Sequence, residues 1–392
     1  MFFNSTPTRS KRVESGVVIL VIYWILFIMV TSSFVRMLWT IYRTPGFIER
    51  GSHNNEQNGR CSTTIPERLS SPPPMLEQIL SKDVFVCQPD GMPRWCSTCE
   101  IWRPDRSRHC REKDRCVSKL DHFCPWVGGI VSENSMKYFI LFNSYTFIYT
   151  IFDWILAAVL VAQRDRQSAL DGNLVAMLIL GLFFMGLTGG IGFSAILNAL
   201  TNHTTVENTA EPSGHVWTLA IRVAEGQVPA GNVRTITFPS MGAKDPDTLH
   251  SLLENEKCSP STTPSIDDNT SYIEHGRTFA IVTSDILANP WDCGKLENWC
   301  QVMGHSIPGW FVPIQVGHPW FSHQAYTSGE DVENGTASPS FFPTSVDVQV
   351  MKARAGLAEL SSEELQDYET RLENRRNFPY LLGGAGAPRV CA

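Results

Sequence analysis

The chain lacks a basic excess. Its 32 Lys and Arg stand against 39 Asp and Glu, a net charge of −7 over 392 residues. That leaves no electrostatic footprint for nucleic acid, so no nucleic-acid partner is expected. It also lacks an even, regular cysteine framework. The eleven cysteines are an odd count, mostly singletons, which argues against a disulfide scaffold and fits reduced thiols on the cytosolic side. Internal repeats are missing, which excludes a solenoid. Finally, charge itself is missing from long stretches. Residues 16–35 and 174–201 carry none, and residues 138–163 carry only Asp153. Each is long enough to cross a hydrocarbon core of roughly 30 Å. The first is too long for a signal-peptide apolar region, and no small-residue cleavage site follows it. Arg36, Trp39, Tyr42 and Arg43 follow instead, as interfacial anchors would.

These spans divide the chain. Residues 1–15 form a polar head and 16–43 the first membrane helix. Residues 44–93 are a Gly/Ser/Pro-rich linker with one short helix, and 94–137 a Cys/His module. Two further helices occupy 138–201, and 202–392 a long tail. Within the tail, residues 240–275 are rich in Ser, Thr, Pro and Asp and read as disordered. Residues 278–320 regain apolar side chains and should fold, and 361–375 read as a helix capped by Ser361 or Ser362. The distribution of Lys and Arg orients the chain: fifteen lie in residues 36–137 against two in the loop 164–173. The module and the tail are therefore expected in the cytosol. The basic residues flanking the first helix are tied, Arg9, Lys11 and Arg12 before it and Arg36, Arg43 and Arg50 after it.

The module holds the chemistry. Cys96, Cys99, His109, Cys110 and Cys116 have metal-ligand spacing. Zinc takes four such ligands, and a small Arg-rich segment with little apolar content gains folding energy from a metal. Spacing leaves open which four bind. Behind the ladder, Asp121, His122 and Cys124 put an acid, an imidazole and a thiol within four residues. A thiol attacks as its thiolate, which an adjacent imidazole can generate and an acid can orient. The competing reading makes His122 and Cys124 additional zinc ligands.

These residues resemble the DHHC protein S-acyltransferases. The likeness runs through Asp90-Gly91, Arg94-Trp95-Cys96, Cys99, Arg103-Pro104-x-Arg106, His109-Cys110, Cys116 and Asp121-His122-x-Cys124-Pro125-Trp126-Val127. It continues through Asn134 and Tyr138-Phe139, then Thr204-Thr205-x-Glu207, Asn289-Pro290-Trp291-Asp292-x-Gly294 and Asn298-Trp299. The resemblance implies an α-helical polytopic membrane protein with a small zinc-binding cytosolic domain. It implies that Cys124 takes a long acyl chain from palmitoyl-CoA as a thioester and passes it to cysteines of cytosolic or membrane-associated proteins. His122 would serve as base and Asp121 would orient it. It assigns one zinc ion to Cys96, Cys99, His109 and Cys116. The second zinc site usual in the family would use Cys110 and the positions held here by Lys113, Phe123 and Ile130, so that site is expected to be lost, with Phe123 and Ile130 filling its volume. The central residue of the usual Asp-His-His-Cys is thus Phe123, giving a fungal-like Asp-His-Phe-Cys variant. The family usually has four membrane helices, and this chain shows three. Two other functions compete: a catalytically silent zinc-binding membrane scaffold, and a transporter, which three helices with one lone acid support poorly.

Overall fold

A computed structural model describes residues 7–50, 74–163, 171–210, 216–238, 276–314 and 345–377. The segment expected to lack structure, 240–275, lies outside the described residues.

Three long helices form the base. Helix α1 runs Pro7–Arg43, α3 Glu133–Ala162 and α4 Gly172–Thr201, and each is long and apolar enough to cross a membrane. α1 begins inside the segment read as a polar head, because nothing after Pro7 breaks a helix until Pro45 and Gly46. Polar side chains on these helices bond back to the preceding turn. Ser33 donates to the Met29 carbonyl at 2.8 Å and Thr188 to that of Phe184 at 2.7 Å, so these hydroxyls are not stranded in an apolar medium. α3 lies between the other two. Phe34 of α1 packs on Phe142 of α3 with ring centroids 5.1 Å apart. On the other side, α4 approaches α3 closely because it has glycines there. A Cβ on Gly189 would meet the Phe147 ring at 2.8 Å. Asp153 is held within the bundle: it hydrogen-bonds Tyr149, which faces Tyr23 of α1.

The C-terminal end of α1, the start of α3 and the end of α4 converge on the Cys/His module. The module consists of three short antiparallel hairpins. β2 (Trp95–Cys96) pairs with β3 (Ile101–Trp102), β4 (Arg108–Cys110) with β5 (Arg115–Val117), and β6 (Leu120–Cys124) with β7 (Gly129–Ser132).

Beyond it lies an element the sequence did not announce, a four-stranded antiparallel sheet of order β1-β8-β10-β9. β1 (Val84–Val86) comes from the linker, whereas β8 (Thr218–Arg222), β9 (Arg234–Phe238) and β10 (Arg277–Thr283) come from the tail. Alternate residues serve the two faces. Leu219, Ile221, Ala280 and Val282 face one core with Val348 and Met351 of a tail helix, Val346–Arg354. Ala220 and Phe279 face the other with Leu76, Ile79 and Leu80 of α2 (Pro74–Ser81). The linker is therefore built into the tail's fold. The remaining helices are α5 (Thr205–Ala210), α6 (Lys295–Met303), α7 (the Val346–Arg354 helix) and α8 (Ser362–Asn377), whose first turn is closed by Ser361 and Glu364.

Candidate active site and metal centre

Cys96 ends β2, Cys99 sits in the turn before β3, and His109 and Cys116 are cross-strand partners in β4 and β5. The fold brings their four ligand atoms within 4.8 Å of one another. His109 Nδ1 is 3.7, 3.3 and 4.0 Å from the sulfurs of Cys96, Cys99 and Cys116. A tetrahedral zinc with bonds of about 2.0–2.3 Å requires ligand atoms roughly 3.6 Å apart. The donor set and its spacing therefore fit zinc. Among the described residues this is the one cluster placed to hold a metal.

The positions expected to have lost a second site hold no metal-ligand cluster among the described residues. Cys110 is fully buried with Val117, Leu120, Ile130 and Val206, and Phe123 and Phe47 pack against that cluster. The Lys113 ammonium lies over the Phe123 ring, 5.6 Å from its centroid. The Cys110 thiol bonds the Glu112 carboxylate at 3.2 Å. These residues form an apolar plug with a cation on its outer edge.

The β6–β7 hairpin carries Asp121, His122 and Cys124. Its register slips between Leu120 and His122. This irregularity leaves Asp121 outside the regular pairing, as a bulged residue is, and bulges commonly redirect side chains beside sites. Asp121, 3% exposed, accepts a bond from His122 Nδ1 at 2.7 Å. It also accepts from the Thr205 amide and the Thr205 hydroxyl, each at 2.9 Å. His122 in turn hydrogen-bonds Cys124. Burial alone would lower the imidazole's pKa, but the bonds to Asp121 and Cys124 outweigh it and raise it to about 9. Burial would push the Cys124 thiol up, yet its bond to His122 and the backbone amides of Val127 and Trp126 bring it below its ordinary value. Acid, imidazole and thiol thus form one connected chain favouring a thiolate beside an imidazolium.

The turn after Cys124 is braced by α1. Tyr42 donates to the Val127 carbonyl at 3.3 Å, and a Cβ on Gly129 would sit 2.2 Å from the Ile41 side chain. Cys124 itself belongs to an apolar cluster that includes Met37, Ile41, Val127, Tyr138, Phe139 and Met303. The thiol therefore stands where the module meets the apolar helices. Trp126, by contrast, is exposed.

A second set of residues fixes Thr205. Thr204 and Glu207 close the first turn of α5 reciprocally, amide to carboxylate at 2.9 Å and amide to hydroxyl at 3.2 Å. Arg106 holds the Glu207 carboxylate with two bonds of 2.8 and 2.7 Å. It also bonds the Asn202 side chain and carbonyl at 2.7 and 2.9 Å, and it lies over the Trp291 ring. Burial would raise the Glu207 carboxyl, but Arg106 draws it down to about 2. Asn289 and Asn298 donate to the Thr201 and Leu200 carbonyls at 2.8 and 2.9 Å. They satisfy the last carbonyls of α4, which no intrahelical amide can reach. The Asn-Pro-Trp-Asp element is thus a cap for α4 built from the tail.

Of the candidate residues, Cys96, Cys99, His109 and Cys116 come together in one cluster and Asp121, His122 and Cys124 in the hairpin beside it, whereas Cys110 lies apart in the apolar plug. Arg106 and Asn202 were missed as functional positions. Arg106 stood in the sequence as part of an Arg-Pro-x-Arg run, but its partner is a hundred residues away. Asn202 carried a weak signal, an Asn just past an apolar run, and it adopts the left-handed conformation common at helix ends.

A thiol, an imidazole and an acid grouped at the junction of a Cys/His module and three helices long and apolar enough to cross a membrane are a candidate site for thiol chemistry at a membrane. Residues 90–212 match the family described as DHHC palmitoyltransferase. Palmitoyltransferase pfa5 of Aspergillus fumigatus is 36% identical over 351 residues, covering 78% of this chain and 75% of the relative. Its namesake in Emericella nidulans is also 36% identical, over 78% and 72% of the two chains. Protein S-acyltransferase 8 of Arabidopsis thaliana is 28% identical over 189 residues, 46% of each chain. The chain belongs to the DHHC palmitoyltransferase family.

Proposed function

We propose that Cys124 carries the acyl group in a two-step transfer from palmitoyl-CoA to cysteines of cytosolic or membrane-associated proteins. The family is one of acyltransferases, and the proposal assigns the atoms. The Cys124 thiolate attacks the thioester carbonyl of the donor, forming a new thioester as the carbon–sulfur bond to CoA breaks. The imidazolium of His122 gives its proton to the departing CoA thiolate. A substrate thiol then gives its proton to the neutral His122 and attacks the Cys124 thioester. Cys124 leaves as the thiolate and the pair is restored. Asp121 holds Nδ1 of His122 and stabilises the imidazolium in both steps, while Thr205 holds Asp121.

The observation that carries this reading is the connected Thr205–Asp121–His122–Cys124 chain opening onto an apolar cluster shared with the helices. A thiol there can meet a donor whose chain lies in the bilayer. Each methylene kept out of water contributes about 0.8 kcal/mol, which gives the helix bundle leverage over chain length. Cys96, Cys99, His109 and Cys116 would hold one structural zinc that fixes the hairpins. The module and tail would face the cytosol, where acyl-CoA and substrate thiols are found.

The test is autoacylation of the full chain in membranes with labelled palmitoyl-CoA. Hydroxylamine-sensitive label is expected on the wild type and absent from Cys124→Ser. Equal labelling of both would remove Cys124 as the carrier. An unlabelled but folded wild type would favour the silent scaffold.

A further inference from the structure

The segment after α6 presents an apolar surface the reaction does not use. Ile307, Phe311 and Ile314 are each 60–62% exposed, and Val312 is 38% exposed. A short 3-10 turn, Pro308–Phe311, shapes it. No Asp, Glu, Lys or Arg occurs between Asn298 and Gly329. Large apolar side chains grouped on a soluble face would be left against water at a free-energy cost.

The segment is tied to a membrane helix. Lys137 of α3 donates to the Ile314 carbonyl at 3.0 Å, and the Tyr145 hydroxyl donates to the Phe311 carbonyl. These two donors lie about 6 and 18 Å along α3 from Glu133, at 1.5 Å per residue. The segment therefore runs beside the helix at the level where its apolar face begins. Trp299 and Trp310 pack edge to face and against the cluster that holds Tyr138, Tyr145 and Cys124. The backbone is also provided for. The carbonyl of Gly304 accepts from the Trp310 indole at 2.6 Å and that of Ile307 from the Trp310 amide at 3.0 Å. Together with those of Phe311 and Ile314, four carbonyls in and around the 3-10 turn are bonded within the protein. Irregular backbone requires this where water is scarce.

We infer that residues 305–314 are a monotopic foot that inserts Ile307, Phe311 and Ile314 into the headgroup–acyl boundary of the bilayer spanned by the three helices. The occupant is lipid, because the segment is hydrogen-bonded to the first turns of α3, holds no Asp, Glu, Lys or Arg, and carries an aromatic pair of the kind found at membrane interfaces. The foot sets the height of the cytosolic layer, and with it the height of Cys124, through the shared apolar cluster. The inference rests on the reading that α1, α3 and α4 span a bilayer.

The test places p-benzoylphenylalanine singly at positions 311, 314, 183 and 228 of the full chain in phosphatidylcholine nanodiscs. After irradiation, intact-mass measurement counts the phospholipid adducts. Position 183 lies on α4, where Phe183 is exposed, and reports on the spanning reading. Position 228, in the β8–β9 loop, is the control. Lipid adducts at 311, 314 and 183, several-fold above 228, are the expected result. Adducts at 183 with none at 311 and 314, or with a cross-linked second copy there, overturn the foot and leave the helices standing. No adduct at 183 overturns the spanning reading and the foot with it. Equal adducts at 228 show indiscriminate capture and also overturn the proposal.

Discussion

Two consecutive side chains, Asp121 and His122, and the thiol two residues later form a unit because a bulge and a turn bring them together, and the balance of charges follows. Cys124 is buried, which by itself disfavours a thiolate. His122 reverses this, and its own charge is held by Asp121. The consequence is a pH signature. Alkylation of Cys124 is expected to stay fast below the ordinary thiol range of about 8.5. Asp121→Asn removes the charge behind the imidazolium, so His122 should titrate lower than about 9 and the alkylation profile of Cys124 should move to higher pH. Iodoacetamide rates across pH, read by peptide mass, check this. An unmoved profile in Asp121→Asn would count against the coupling. Stability follows the same linkage. A histidine whose folded value lies above its free value of about 6.5 stabilises the folded state fully below that pH, and loses the contribution as pH rises through about 9.

Between elements, the decisive contacts join segments far apart in the chain. Arg106 in the module, Glu207 in α5 and Asn202 at the end of α4 lock Thr205 over Asp121. The pair's side chains are each 5% exposed. Removing one partner from a buried pair strands the other charge and costs about 3–5 kcal/mol, while removing both together is often close to neutral. Arg106→Met should therefore destabilise the protein strongly and slow acylation. Arg106→Met combined with Glu207→Leu should recover much of the stability but not the rate, since Thr205 has lost its brace. Thermal melts and autoacylation rates of the two variants separate these effects. A double variant as unstable as the single one would refute the pairing argument. The pH dependence is opposite in sign to that of His122. Glu207 is drawn down to about 2, so its contribution is fully present above its free value of about 4.5 and is lost as pH falls toward 2. This is also where sequence reading reached its limit. The grouping of Asp121, His122 and Cys124 was legible because they are adjacent, and that of Cys96, Cys99, His109 and Cys116 because hairpin knuckles repeat short spacings. The helices were legible because long uncharged runs need no partner to declare themselves. The four-stranded sheet was not, because β1 of three residues pairs with β8 well over a hundred residues later, and short strands carry little periodic signal. Arg106 was unreadable as an active-site brace for the same reason: its meaning lies in partners that only the tertiary fold supplies.

At the scale of the whole molecule, the cytosolic layer is held by two unlike devices side by side. One half of the module depends on a Cys/His cluster, and the other on the plug of Cys110, Ile130, Phe123 and Val206. A structural zinc contributes on the order of 10–16 kcal/mol of apparent binding energy in small domains. An apolar plug distributes its contribution among burials of about 1.5–3 kcal/mol per large side chain. Leu120, Phe123 and Ile130 of the β6–β7 hairpin are part of the plug, which ties the strand bearing Cys124 to β4, β5 and α5 by apolar packing. The expected metal content of the purified full chain is therefore one zinc per protein by elemental mass spectrometry. Cys96→Ala should bring it to none and expose the module to protease. Cys110→Ala should leave the metal content unchanged and cost only the packing of one small side chain. Phe123→His should not raise the content to two, because Ile130 and Lys113 still stand where ligands would be needed. Two zinc ions in the wild type, or loss of zinc in Cys110→Ala, would refute the division into one metal knuckle and one apolar knuckle. The active-site hairpin would then depend on a second ion that these side chains give no means of holding.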